Sequence, residues 1–315
     1  MRVTITCDGR VVFDKEFVES EHPRNHGEFA KKGSGTSGTT GKSAHLVSAP
    51  ADKERWPEHI KTLKLPPAWT DVHVSNDPDA DLLAIGKDSK GRKQYVYAKR
   101  FADTNSAVKF DRIKELDSKM GEIRKQNDRA LSSNDPSVRE HAEVASLIMN
   151  MGLRPGGDED TGAKVKAYGA TTLEGRHVVS ENGALRLRFV GKKGVAIDLP
   201  VEGDIAKKLL ARTRQVGPND KLFPNVTATS LLDYVHGFDG GGFKSKDFRT
   251  LLATSTAHAL VANAEPPKDA ADYKKKVREV AKVVSSKLGN TPTVALQSYI
   301  SPLAFAPWRQ HAEAA

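Results

Sequence analysis

Leu185-Arg186-Leu187-Arg188-Phe189-Val190-Gly191-Lys192-Lys193-Gly194-Val195-Ala196-Ile197-Asp198-Leu199 reads as two short strands joined by a glycine-bounded turn. Gly191 to Gly194 make that turn, so Lys192 and Lys193 stand at a hairpin tip, where a flexible loop can lay an ammonium along a groove. A third strand is expected around Thr171-Thr172. Outside this small sheet the chain is mainly helical after Asn105, whereas the stretch from Trp56 to about Phe101 consists of short strands and turns. The expected class is α+β: a small β-rich N-terminal domain, then a larger, mainly helical domain carrying a three-stranded sheet.

The helices around the sheet have legible ends. Asp135-Pro136 is a helix start with Pro in the first turn, and the helix is expected to continue through Ala145-Ser146-Leu147-Ile148-Met149 and stop at Gly152. Arg154 then stands just past a helix end, its backbone fixed and its side chain off the helix surface. A guanidinium there can donate two hydrogen bonds to phosphate oxygens and keeps its charge at any working pH. A second helix begins near Ser245 and buries a face of Phe248, Leu251, Leu252 and Ser255, with Arg249 beside that face and its guanidinium reaching out. A third runs to Leu288 with Val277, Val280, Ala281, Val284 and Leu288 in one stripe and Gly289 as its C-terminal cap, so Asn290 emerges where the chain leaves it. Thr291-Pro292 start a short helix leading to Tyr299, nine positions after Asn290. Arginines converging on it would favour its phenolate form. Tyr168, Tyr234 and Tyr273 sit in no comparable context. Gly237-Phe238-Asp239-Gly240-Gly241-Gly242-Phe243 is too glycine-rich for regular structure and lacks a Walker lysine pattern, so it is read as a loop and not as a nucleotide site.

Arg154, Lys192, Arg249 and Tyr299 occur in that order within Gly152-Leu153-Arg154-Pro155-Gly156, Phe189-Val190-Gly191-Lys192-Lys193-Gly194, Lys246-Asp247-Phe248-Arg249-Thr250 and Ser298-Tyr299, the last preceded by Leu288-Gly289-Asn290-Thr291-Pro292. These blocks resemble the poxvirus-like, bacterial type IB DNA topoisomerases, from about Trp56 to the last dozen residues. The resemblance implies the catalytic fold shared by tyrosine recombinases and type IB topoisomerases. It makes Tyr299 the nucleophile, Arg154 and Arg249 phosphate clamps, and Lys192 the general acid toward the departing 5′ oxygen. Cationic neighbours disfavour an ammonium's charge, which helps it give up a proton. Asn290 stands where many members carry His; its amide can donate to a non-bridging oxygen but cannot carry charge or relay a proton. A 3′-phosphotyrosyl intermediate, religation without ATP, relaxation of supercoils of either sign, and the need for neither metal nor nucleotide cofactor are also implied.

Thr70-Asp71-Val72-His73-Val74, Asp81-Leu82-Leu83-Ala84-Ile85-Gly86 and Lys93-Gln94-Tyr95-Val96-Tyr97 read as strands of the first domain. Alternation puts Tyr95 and Tyr97 on one face, beside Lys87, Lys90, Arg92, Lys93, Lys99 and Arg100, a mixture suited to groove and backbone contact. By the resemblance this domain is one jaw of a clamp on double-stranded DNA. Lys93, Gln94, Tyr95 and Tyr97 are expected contacts, with Lys193, Arg186 and Arg188 added from the hairpin.

Composition agrees: 49 Lys plus Arg against 40 Asp plus Glu gives a formal charge of +9, which favours a polyanionic partner. Hydrophobic residues make up 38% of the 315, with no run near the roughly 20 apolar residues of a spanning helix. With no secretory h-region at the N-terminus, a cytoplasmic, nucleoid-associated protein is expected, without membrane contact. Cys7 is the single cysteine, which excludes an intrachain disulfide and a multi-cysteine zinc site. Val3-Thr4-Ile5-Thr6 and Val11-Val12-Phe13 flank Asp8-Gly9, a hairpin signature. The expected organisation is a hairpin extension over 1–19, a flexible Gly/Ser/Thr-rich linker over 20–48, a β-rich DNA-clamp domain over 49–103 and a helical catalytic domain over 104–315.

Two other readings stand beside this one. A tyrosine site-specific recombinase uses a similar Arg, Lys, Arg and Tyr set, but normally adds a helical DNA-binding arm and contacts that organise four protomers; the β-rich domain with Lys93-Gln94-Tyr95-Val96-Tyr97 argues for a monomeric clamp instead. A catalytically silent DNA-binding protein is disfavoured by the presence of Tyr299 with both arginines and Lys192.

Overall fold

The computed structural model describes residues 3–5, 11–13, 24–25, 28–29, 46–157 and 165–314. Strands β1 (Val3–Ile5) and β2 (Val11–Phe13) pair antiparallel, as do β3 (Arg24–Asn25) and β4 (Glu28–Phe29). Cys7, Asp8-Gly9 and most of the expected linker lie outside the described residues.

Four strands, β5 (Leu46–Ser48), β6 (Thr70–Ser75), β7 (Leu82–Lys87) and β8 (Lys93–Tyr97), form one antiparallel sheet in sequence order. β5 occupies the end of the stretch read as linker. Trp56, Ile60, Val74 and Ala84 make its core, and the Trp56 indole N–H donates to the Pro50 carbonyl at 2.9 Å. Gly86 is required in β7: a Cβ there would stand 2.6 Å from the Trp69 ring. Helix α1 (Lys99–Leu131) follows β8 with one residue between them, earlier than the helical region expected after Asn105. The chain divides into two compact units, 1–109 and 110–315, and the division falls inside α1.

The second unit is built from α1 from Phe110 onward, α2 (Pro136–Met151), a sheet of β9 (Val178–Glu181), β10 (Ala184–Val190) and β11 (Ala196–Val201), then α3 (Gly203–Thr213), α4 (Ala228–His236), α5 (Ser245–Ala262), α6 (Ala270–Leu288), α7 (Pro292–Ser298) and α8 (Ala306–Ala314). Leu147 and Ile148 of α2, Leu187 of the sheet, and Phe223, Phe243 and Phe248 are buried in one core. The glycine-rich stretch 237–243 is a loop pinned into that core by Phe238 and Phe243. Among the described residues no helix is long and apolar enough to cross a membrane.

Thr171-Thr172 is not a strand. Ala170–Thr172 is a single 3-10 turn, held by N–H groups of Ala170 and Thr171 donating to the carbonyls of Arg154 (2.8 Å) and Pro155 (2.7 Å). Those backbone groups are spent on the Arg154 loop, and Gly169 packs so closely on Gly156 that a Cβ would meet its nitrogen at 2.5 Å. β9 is the third strand instead. It turns into β10 through Asn182 (φ 51°) and Gly183 (φ 78°), a two-residue hairpin whose left-handed positions suit Asn-Gly.

Candidate active site

Arg154 is placed by the end of α2. Asp135 caps the helix start by accepting from Ser137 N–H at 2.8 Å, and Gly152 ends it in the left-handed conformation, φ 64°. Leu153 is then buried, and the carbonyls of Arg154 and Pro155 are tied to the 3-10 turn. The side chain of Arg154 lines a cavity with those of Tyr168, Phe189, Lys192, Arg249 and Leu288. Lys192 reaches it from the β10–β11 turn, which closes by Gly191 N–H donating to Val195 O at 2.7 Å. Lys193 takes φ 64° in the same turn, and both lysines are exposed.

Arg249 departs from the expectation of an outward guanidinium. It is 3% exposed and donates to the carbonyls of Gly152 and Leu288, joining the C-terminal ends of α2 and α6. Those carbonyls lack helical partners and carry the negative end of each helix dipole, so a cation is favoured there. Burial lowers the Arg249 guanidinium to about 10, opposed by the Tyr299 phenol beside it, and it stays charged at neutral pH. The buried face of α5 also differs: Leu252 is half-buried, Ser255 is exposed and Thr254 is buried. Thr254 is drawn in because its hydroxyl donates to the Tyr299 carbonyl (3.0 Å) and accepts from Ser301 N–H (3.1 Å).

Tyr299 follows α7, whose start is capped by Thr291 and whose first residue is Pro292. The phenol ring is 4% exposed, with the Arg249 guanidinium carbon 5.0 Å and the Lys246 ammonium 5.8 Å from its centroid. Burial works against ionisation, yet the positive charges of Arg249, Arg154 and Lys246 together outweigh it and hold Tyr299 below its usual value of 10.0.

Asn290 follows Gly289, which caps α6 at φ 58°. Both its amide atoms, Nδ2 and Oδ1, are buried without a protein partner, as is Arg249 Nε. Unmet polar atoms of this kind are rare in native structures, and here they leave a donor and an acceptor of Asn290 and a donor of Arg249 open to a ligand oxygen or an ordered water. Arg154, Lys192 and Arg249 thus share one cavity, and Tyr299 lies under Arg249. Two contributors escaped the sequence reading: Lys246, readable as the residue three before Arg249 on the same helix face, and Thr254, which carried no sequence signal.

The expected DNA contacts are placed differently. Arg186 pairs with Asp198, and Arg188 pairs with both Glu181 and Asp198, so their charges are already matched across the sheet. Gln94 is buried and donates to Asp88 Oδ2 at 2.9 Å. Tyr95 is buried and Tyr97 half-buried, with ring centroids 6.4 Å apart on one face of the sheet. Burial, and then Tyr95, push the Tyr97 phenol up to about 12, so it acts as a neutral hydroxyl. Lys93 is exposed at the start of β8.

Comparison with known proteins gives concordant matches. Residues 98–301 match the model of the family described as eukaryotic DNA topoisomerase I, catalytic core, and residues 47–88 that of the bacterial DNA topoisomerase IB N-terminal domain. The chain is 29% identical over 266 residues to DNA topoisomerase 1B of Acanthamoeba polyphaga mimivirus, covering 77% of each chain. It is 24% identical over 254 residues to DNA topoisomerase 1B of Vaccinia virus, covering 78% of this chain and 79% of the viral one. A match to human mitochondrial DNA topoisomerase I, 28% identical over 156 residues, covers 47% of this chain and 26% of the human one.

Proposed function

This chain belongs to the type IB DNA topoisomerases, a family of isomerases acting on DNA, and from that premise we propose that Tyr299 cleaves one strand of a duplex through a 3′-phosphotyrosyl bond. The observation that carries the proposal is the Tyr299 phenol lying beneath the Arg249 guanidinium, which itself lines a cavity with Arg154 and Lys192. The phenolate oxygen attacks phosphorus and the bond to the 5′ oxygen breaks. Lys192 gives that oxygen its proton. Arg154 and Arg249 neutralise the non-bridging oxygens of the pentacoordinate transition state, and the Asn290 amide donates to one of them.

The phosphodiester energy is kept in the new bond, so the 5′ hydroxyl can attack it in return and reseal the strand without ATP. While the strand is open, the free end swivels and torsional strain relaxes supercoils of either sign. The positive charge is supplied by arginines, Arg249 remaining charged at neutral pH, and the scheme needs neither metal nor nucleotide. The β-rich domain over 49–103 serves as one jaw of a monomeric clamp, with Lys93 and Tyr97 its best-exposed candidate contacts, Tyr95 packed between them on the same face and Gln94 holding the sheet through Asp88. Lys193 is a second phosphate contact, and Arg186 and Arg188 reach DNA by exchanging carboxylate partners for phosphates. The working location is the cytoplasmic nucleoid.

The test is incubation with supercoiled plasmid in EDTA without ATP, beside the Tyr299→Phe protein. Relaxation of positive and negative supercoils, lost in the variant while duplex binding persists, is the expected result. Relaxation by Tyr299→Phe would remove Tyr299 as nucleophile. Duplex binding by the unaltered protein with no relaxation at any salt concentration would favour a recombinase or a silent binder.

A further inference from the structure

Arg112, on α1, grips the carboxylate of Asp247, on α5. Its Nε donates to Oδ2 and its Nη2 to Oδ1, each at 3.0 Å. Asp247 is buried, and the same Oδ2 accepts the backbone N–H of Lys244 at 3.0 Å, closing the first turn of α5. Lys246 and Arg249, the two α5 cations that lie over the Tyr299 ring, stand on either side of Asp247 in sequence.

The lead-in to α5 contains Gly240 and Gly241, both at positive φ. Glycines leave the backbone many alternatives, so this lead-in is a poor fixture for a helix start. Lys119, also on α1, pairs with Asp239 in that loop and lies 5.6 Å from the Phe243 ring centroid, so α1 anchors the lead-in as well as the first turn. A planar guanidinium fork fixes the carboxylate in angle as well as distance, which an ammonium cannot do. We propose that Arg112 is a positioning residue for strand cleavage: through Asp247 it sets the first turn of α5, and thereby the aim of Arg249 and Lys246 at Tyr299. The proposal rests on Tyr299 being the nucleophile.

The experiment uses the full chain and its Arg112→Gln, Arg112→Lys, Asp247→Asn and Tyr299→Phe variants. Single-turnover formation of the covalent adduct on a duplex oligonucleotide is followed across pH, beside duplex affinity and thermal midpoint. Arg112→Gln should cleave roughly 10- to 100-fold more slowly, the scale on which small misplacements act, with affinity unchanged. Its rate profile should also move to higher pH, because the cations no longer hold the phenol acidic. Arg112→Lys, which keeps the charge and loses the fork, should fall between; measured below its own thermal midpoint, it carries the test if Arg112→Gln does not fold. Asp247→Asn should reproduce the Arg112→Gln profile. Variants that cleave at the unaltered rate with an unmoved pH profile, any change being confined to the thermal midpoint, would make the pair a scaffold and overturn the proposal. Failure of the unaltered protein to form an adduct, or adduct formation by Tyr299→Phe, would instead remove the nucleophile assignment.

Discussion

Arg249 faces Tyr299 at 5.0 Å while its guanidinium holds the carbonyl ends of two helices, those of Gly152 and Leu288. One side chain therefore sets the spacing of α2, α6 and the phenol together. The arrangement gives Tyr299 a low-lying phenolate and gives Arg154, two residues beyond Gly152, a fixed base.

The pH dependence of cleavage has a definite sign. In the proposed reaction phenolate is the attacking form, and Tyr299 is held below 10.0 by Arg249, Arg154 and Lys246 against the opposing effect of burial. The single-turnover rate should rise with pH and level off below the free phenol value of about 10. Replacing Lys246 with Gln removes one of the three cations, so the rise should move to higher pH, read from the rate profile on one oligonucleotide duplex.

Thr254→Val deletes both hydrogen bonds that bracket Tyr299, at the Tyr299 carbonyl and the Ser301 N–H. A buried N–H left unmet costs about 1–3 kcal/mol, so the thermal midpoint should drop. Cleavage should slow as well, since the backbone on both sides of Tyr299 loses its hold. Thr254→Ser should restore both. A Val variant with unchanged rate and midpoint would contradict the assignment.

Asn290 offers two unpartnered amide atoms. Asn290→Ala should lower the cleavage rate on the order of 10²-fold, the usual cost of losing an oxyanion donor. Asn290→His, which donates at the same position, should retain activity. Equal rates for the Ala variant and the unaltered protein would show that the amide faces no reacting oxygen.

Gly289→Ala should destabilise the catalytic unit. Its φ of 58° disfavours any side chain, by roughly 1–2 kcal/mol, and the added methyl would run into Ile197 of β11. Denaturant unfolding would register the change. Ile197→Ala in the same chain should recover the steric part and leave the backbone part.

The sequence was most legible where local chemistry decides the outcome. Asp135-Pro136 and Gly152 bound α2, Gly289 ends α6, and Gly191 with Gly194 make the hairpin turn, because caps and turns depend on a few neighbouring residues. It was least legible where distant backbone intervenes. Thr171-Thr172 has β-type residues, but the Thr171 N–H is spent on the Pro155 carbonyl and the Thr172 N–H on Gly169 within the turn, while Asn182-Gly183 is the local hairpin signal that marks the true third strand. The inward turn of Arg249 depends on two carbonyls, 97 and 39 residues away, which no local pattern encodes. The pairing of Arg186 and Arg188 follows from cross-strand register with Asp198, set only once β10 and β11 align.

The 4% exposure of Tyr299 has a chemical consequence. A phenolate open to solvent would be available to any small phosphate ester or electrophile that diffused past. In the proposed reaction, the oxygen sheltered beneath Arg249 meets only a phosphorus that the surrounding cations hold in place, so that its reactivity is conditional on occupancy.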